Sequence, residues 1–323
     1  MIGELFDFIL FPGIATILMI GLFSSWFVRK FTARIENRIG PPLLQPVYDI
    51  LKLLSKEVTQ PKGGKSMFIT LLPRIQLLLA VFLSFLIPIT SEKGLLSFQG
   101  DAFLFLFLVS IHGITIMFLG YSSNNPYTTT GYGRLAFTEL SFELPLIFSF
   151  SSLIIATKET SISGILLAID SLGWTINGIL IRILIFALFI LMLYSGLGFL
   201  EFNPFSAAHA ETEIVAGWQT ELTGANLAYV YLSDGFNLFS VVGLISLIFL
   251  GLPNTPNSIG QYSLLKELYW TGSFLLKFLV TLGLFTVVKT LSSRIRVDQT
   301  IKVVWNRFLP TSILILVLMF IIV

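Results

Sequence analysis

Residues 176–200 read INGILIRILIFALFILMLYSGLGFL, with Arg182 as their one charge. About 20 apolar residues cover the roughly 30 Å hydrocarbon core of a bilayer, so this run is long enough to span a membrane. The segment that follows, 201–224, carries Glu201, Glu211, Glu213 and Glu221 and no Lys or Arg. An apolar span leading into an acidic, base-free segment is the pattern that decides the fold class.

On either side of it, seven more runs meet the same length test, at approximately 5–28, 68–89, 102–121, 137–156, 226–251, 269–291 and 304–323. The first is too long for a signal-peptide core and lacks a small-residue cleavage site, so it reads as a retained span. Of the 323 residues, 55% are hydrophobic and 12% charged, with mean hydropathy +0.88. Soluble domains carry roughly 25% charged residues, so a soluble enzyme, a disordered chain and a nucleic-acid binder are excluded. The chain has no Cys and two His. That removes disulfides, thiolate zinc sites and Cys-ligated clusters. The expectation is an all-α integral membrane protein of about eight transmembrane helices, forming one polytopic domain over 1–323.

Residues 29–66 are too polar to cross. Within them Leu44, Val47, Ile50, Leu51 and Leu54 recur at helical spacing, with Asp49, Lys52 and Lys56 on other faces. This describes an amphipathic helix on the membrane surface near 43–57, after the rigid turn Gly40-Pro41-Pro42. Lys and Arg set orientation. The first loop holds Arg29, Lys30, Arg34, Arg38, Lys52, Lys56, Lys62 and Lys65; Arg134, Arg294, Arg296, Lys302 and Arg307 share its side. Lys93, Lys158 and Lys266 oppose these thirteen. The first loop and the amphipathic helix are therefore expected at the cytoplasmic face, and both termini outside. The acidic loop 201–224 falls on the cytoplasmic side without basic residues, while 157–175 and 252–265 read as polar outer loops.

An ionisable residue near the bilayer centre costs about 2.5–3.5 kcal/mol on insertion scales. Glu139 and Glu143 lie one helical turn apart on one face of the fourth span. A like-charge pair is a poor structural device, and intramembrane carboxylates mark ion paths. Asp234 lies in the sixth span. With Glu211, Glu213 and Glu221 of the acidic loop, these residues suggest a graded row of titratable groups, because such a loop is stable at membrane depth only where it lines a wet cavity. A solvated acidic loop is the alternative. Glu213 is expected to matter more than Glu201. Arg182 and Lys277 read as buried ion pairs or relays, Lys289 as a snorkelling residue, and His112 as a helix contact or a relay.

Four stretches resemble the subunit 1 family of respiratory complex I and its counterparts in membrane-bound hydrogenases. Arg38-Ile39-Gly40-Pro41-Pro42-Leu43-Leu44-Gln45-Pro46, with Asp49, Lys52, Lys56 and Glu57, is similar to the family's R-x-G-P…L-L-Q-P-x-x-D-x-x-K signature. The nearly fused spacing is more like the hydrogenase-type members. Arg134 with Phe142-Glu143 matches R-x(7)-[YF]-E. Pro204-Phe205, Glu211, Glu213, Gly217 and Glu221 match the acidic-loop motif, with Ser206, His209 and Phe202 where complex I members carry Asp, Glu and Arg. These departures fall on the quinone-cavity side. Arg294-Ile295-Arg296-Val297-Asp298-Gln299, with Trp305 and Phe308-Leu309-Pro310, resembles the C-terminal signature.

The resemblance implies a membrane subunit that joins a hydrophilic arm to antiporter-like and small membrane subunits. That arm would carry iron–sulfur clusters and a [NiFe]-hydrogenase-like protein. The implied proton or coupled Na⁺/H⁺ path is Glu139, Glu143, Glu211, Glu213, Glu221 and Asp234. Arg34, Arg38, Asp49, Lys52, Arg294, Arg296 and Asp298 would dock the arm, and His112, Arg182, His209 and Lys277 would act as relays or ion pairs. No cofactor or metal is expected in this chain; iron–sulfur clusters, and in the hydrogenase case a [NiFe] centre, would belong to partners. The alternatives are a quinone- or methanophenazine-binding subunit of a complex I-type oxidoreductase and a stand-alone secondary transporter.

Overall fold

The computed structural model describes residues 11–59, 61, 63–172, 176–253 and 263–322, without the side chains of 66, 176, 177, 211, 212, 263 and 264. Among the described residues there is no strand, and eight helices are long and apolar enough to cross a membrane. The helices are α1 (Ile14–Ile35), α2 (Gln45–Leu54), α3 (Ser66–Phe85), α4 (Asp101–Ser122), α5 (Pro126–Thr157), α6 (Ile162–Ser171), α7 (Ile176–Phe199), α8 (Gly224–Leu250), α9 (Ser263–Leu291) and α10 (Val297–Ile322). The protein is a helical membrane protein with α2 as a short amphipathic helix.

Helix α8 is the axis of the bundle. Every residue from Phe236 to Ile248 is buried, as expected of a helix that is apolar all round. It packs on α1, α2, α3, α7 and α9. In lipid, helix association rests on close packing rather than on escape from water. Two features supply it. A Cβ on Gly21 of α1 would lie 2.8 Å from the Gly235 carbonyl oxygen of α8, so glycine lets the two backbones cross closely. Toward α9, Phe239, Phe274 and Phe278 interlock with centroids 5.9–6.0 Å apart.

Three expected boundaries shift. The first span is expected at 5–28, of which 5–10 lie outside the described residues; α1 runs on to Ile35. Hydropathy drops at Arg29, yet the backbone stays helical because its cations find partners: Arg29 meets Asp49 at 3.0 Å, and Lys30 donates to the Gly40 carbonyl at 3.2 Å. Arg29, Lys30 and Arg34 therefore belong to the last turns of a helix, where positive charge suits the C-terminal dipole. Helix α5 begins at Pro126, so Arg134 is also helical; Asn125 caps it by accepting from the Tyr127 amide at 3.0 Å. Helix α10 begins at Val297 and passes a π-helical turn, Val304–Phe308, which takes in Arg307. The outer segment 157–175, expected as a loop, contains α6. Ser161 caps it, and Ile162, Ile165 and Leu166 are buried. Most of the other outer loop, 254–262, lies outside the described residues.

Candidate functional site

Helix α2 keeps Pro46 and Ile50 against the bundle and leaves Leu43, Leu44, Tyr48, Leu51 and Leu54 exposed. Between α2, α1, α8 and the 199–219 segment lies a cavity of about 480 Å³. Arg29, Asp49, Tyr231, Asp234 and Lys289 border it from four helices, and Glu201 and His209 from the loop. His112 and Asn237 form its inner wall, Nε2 to Nδ2 at 2.7 Å. A second chamber of about 210 Å³ lies deeper, bordered by Ser110, Gly113, Glu139, Glu143, Ser195 and Phe199. Ser110 donates to the Glu143 carboxylate. Glu139 is 7% exposed, and its carboxyl oxygens have no hydrogen-bond partner among the described residues.

The acidic loop turns inward at Glu201, whose φ of +52° is a left-handed conformation that bulky residues rarely adopt. Its carboxylate, 11% exposed, pairs with His209 and accepts from the Trp218 indole at 3.2 Å. His209 lies outside the spans. Burial pulls its pKa down, but the charge and hydrogen bond of Glu201, with Asp234 behind, outweigh burial and the opposing Arg294. The imidazole is held above the ordinary histidine value. Arg294 fixes the loop from the other side: its Nε donates to Ser206 at 3.1 Å and Nη2 to the His209 carbonyl at 3.1 Å.

The expected row of carboxylates is therefore brought together only in part. Asp234 borders the first chamber, and Glu139 and Glu143 border the second. Glu213 and Glu221 border neither. Glu213, 59% exposed, meets Arg134 at 2.6 Å, and Glu221 accepts from Asn125. Both are drawn sideways to α5 and its cap instead of toward α8. The side chain of Glu211 lies outside the described residues. Glu201 replaces them as the buried acid of the loop. Its sequence signal is position, the first acid after the apolar run 176–200, but a place at the edge of the acidic loop makes it look peripheral.

Asp49, expected to dock a partner, is held by Arg29 and by Gln45 at 2.9 Å and borders the first cavity. Arg34, Lys52, Arg294, Arg296 and Asp298 are exposed, and so is Arg38, which pairs with Glu36. Lys277 donates to the Gly251 and Leu252 carbonyls at 2.8 and 3.2 Å, and Arg182 donates to the Leu172 carbonyl. Lys289 does not simply snorkel: its ammonium stands 3.8 Å over the Phe202 ring.

The family model described as NADH dehydrogenase matches residues 9–320. The chain belongs to that family. A membrane subunit of the NADH-quinone oxidoreductase of Pelagibacter ubique (strain HTCC1062) is 29% identical over 313 residues, 95% of this chain and 90% of that one. The fold is also that of a chain in the structure of the membrane-bound sulfane sulfur reductase, an archaeal respiratory membrane complex. The TM-score is 0.84 at 24% identity, over 98% of this chain and 99% of that one. The resemblance to subunit 1 drawn from the four motifs thus holds at family level across nearly the whole chain. Within this NADH dehydrogenase-family chain, motif residues fall on the first chamber (Asp49), on the second (Glu143) and on the loop between them.

Proposed function

We propose that this chain is the membrane coupling subunit of a redox-driven, ion-pumping respiratory complex, and that it holds no redox centre itself. The supporting observation is the pair of chambers. Carboxyl groups from the acidic loop, α8 and α5, namely Glu201, Asp234, Glu139 and Glu143, line two consecutive cavities leading from the loop into the bundle. Buried carboxyl groups of this kind mark ion paths, and chambers of this size hold the water that joins them. A hydrophilic iron–sulfur arm would dock on the face presenting Arg34, Arg38, Lys52, Arg294, Arg296 and Asp298. An event there would move the loop held by Arg294 and so re-space Glu201 and His209. Protons, or a coupled Na⁺/H⁺ exchange, would leave through Glu143 toward antiporter-like subunits. The fused first motif favours the hydrogenase or sulfane-reductase branch.

One observation favours a second reading. The first cavity lies beside the amphipathic helix and has the volume of a small-molecule site, which suits a quinone or methanophenazine. Its ionisable lining is more polar than such sites usually are, and Phe202 and Ser206 stand where complex I members carry Arg and Asp. Metal analysis of the purified complex with a hydrogen-evolution assay separates the readings. Nickel with hydrogen output selects the hydrogenase branch, and iron without nickel turns the choice to sulfur or a quinone. Glu143→Gln tests the path in either case. It should assemble and keep electron transfer but lose pumping; full pumping would remove Glu143 from the path. One charge across 100 mV is worth about 2.3 kcal/mol, so the loss is measurable.

A further inference from the structure

The two chambers adjoin without merging. His112 borders the first, and the next residue of α4, Gly113, borders the second. A Cβ on Gly113 would collide with the Glu139 carboxylate, so the missing side chain lets that group reach the wall behind which His112 stands. Phe199 is the side chain that borders both chambers. Its ring leans on the His112 imidazole, with centroids 5.4 Å apart and planes inclined at 56°.

The polar groups on either side of this ring are incompletely paired. His112 Nδ1 and Asn237 Oδ1 on the first side, and the Glu139 oxygens and Ser195 Oγ on the second, have no hydrogen-bond partner among the described residues. Buried polar atoms in cavities of this size bond to water. An apolar ring between two wet spaces blocks passage by opposing continuous wetting, as in channels gated by a hydrophobic constriction.

We propose that Phe199 is the barrier residue of the ion path, keeping the water of the two chambers apart until its ring is displaced. This rests on reading the buried carboxyls as an ion path. The control of the ring is built into the chain. Phe199 is the last residue of α7 and stands two residues before Glu201, where the backbone turns left-handed. A shift of the Glu201–His209 pair pulls on the ring through a single intervening residue, Leu200. In the displaced state a proton passes from water beside His112 to water beside Glu139, and no heavy-atom bond changes.

The test uses the whole complex reconstituted in liposomes. Passive proton leak is read with the redox site idle, and pumping is read during turnover. Phe199→Ala should raise the leak about tenfold by removing the constriction, and Phe199→Ala with Glu143→Gln should return it to the wild-type level. Phe199→Trp, with a larger ring, should leave the leak low and slow pumping; it carries the test if the alanine variant does not assemble. The proposal is overturned if both single variants match wild type while Glu143→Gln abolishes pumping, or if the alanine leak persists in the double variant. If Glu143→Gln pumps fully, the ion-path reading itself falls, and the barrier with it.

Discussion

Glu201 carries more of the site than its place in the chain suggests. It meets His209 and Trp218 and faces the chamber that holds Asp234, whereas Glu213 spends its charge on Arg134 at an exposed position. The order expected from the sequence is therefore reversed. Glu201→Gln should remove most coupled pumping with electron transfer retained, and Glu213→Gln should cost little, since exposed ion pairs contribute roughly 0–1 kcal/mol. Pumping in reconstituted complexes decides between them. The His209 pair also has a pH signature. Its folded pKa lies above the unfolded value of 6.5, so its stabilisation is full below about 6.5 and is lost as pH rises through the folded value. Hydrogen exchange across residues 201–222 should quicken on the alkaline side of neutrality, and His209→Gln should flatten that dependence. A wild-type loop whose exchange does not respond to this pair over that range would contradict it.

At the scale of elements, the clearest device is the end of α8. Lys277 of α9 donates to the Gly251 and Leu252 carbonyls, and Asp170 at the end of α6 accepts from the Leu252 amide at 3.0 Å. A cation at a helix C-terminus and an anion on the next free amide complete groups that the helix cannot satisfy itself. The intramembrane lysine thus reads as a clamp on α8 and not as a carrier. Lys277→Met should lower thermal stability by about 1.5–3 kcal/mol, the usual worth of hydrogen bonds to a charged group, with pumping per electron unchanged. Thermal unfolding in detergent and the pumping ratio check the two halves separately. A stable variant with a lower ratio would make Lys277 part of the path.

Across the whole molecule, the thirteen basic residues on one side orient the bundle with the acidic loop and α2 cytoplasmic. Impermeant labelling of single cysteines is clean here because the chain has no Cys of its own. A label at Arg38→Cys should react only from the cytoplasm, and one at Lys93→Cys only from outside. The reverse would invert the orientation and place the arm on the other face.

The eight spans, the surface helix and the family were legible in the chain before any packing was known. Each depends on hydropathy, period or a contiguous motif, all of which are properties of neighbours in the chain. Glu139, Glu143 and Asp234 were marked in the same way, because a carboxyl within an apolar run is conspicuous wherever it points. Which acids share a space was left to the tertiary structure. Glu201 joins His209 and Asp234, while Glu213 and Glu221 turn to Arg134 and Asn125, because burial and partner choice depend on how α5, α8 and the loop pack. Phe199 was invisible among the 31 phenylalanines, since an apolar ring acquires a role only from the two polar chambers that folding places on either side of it.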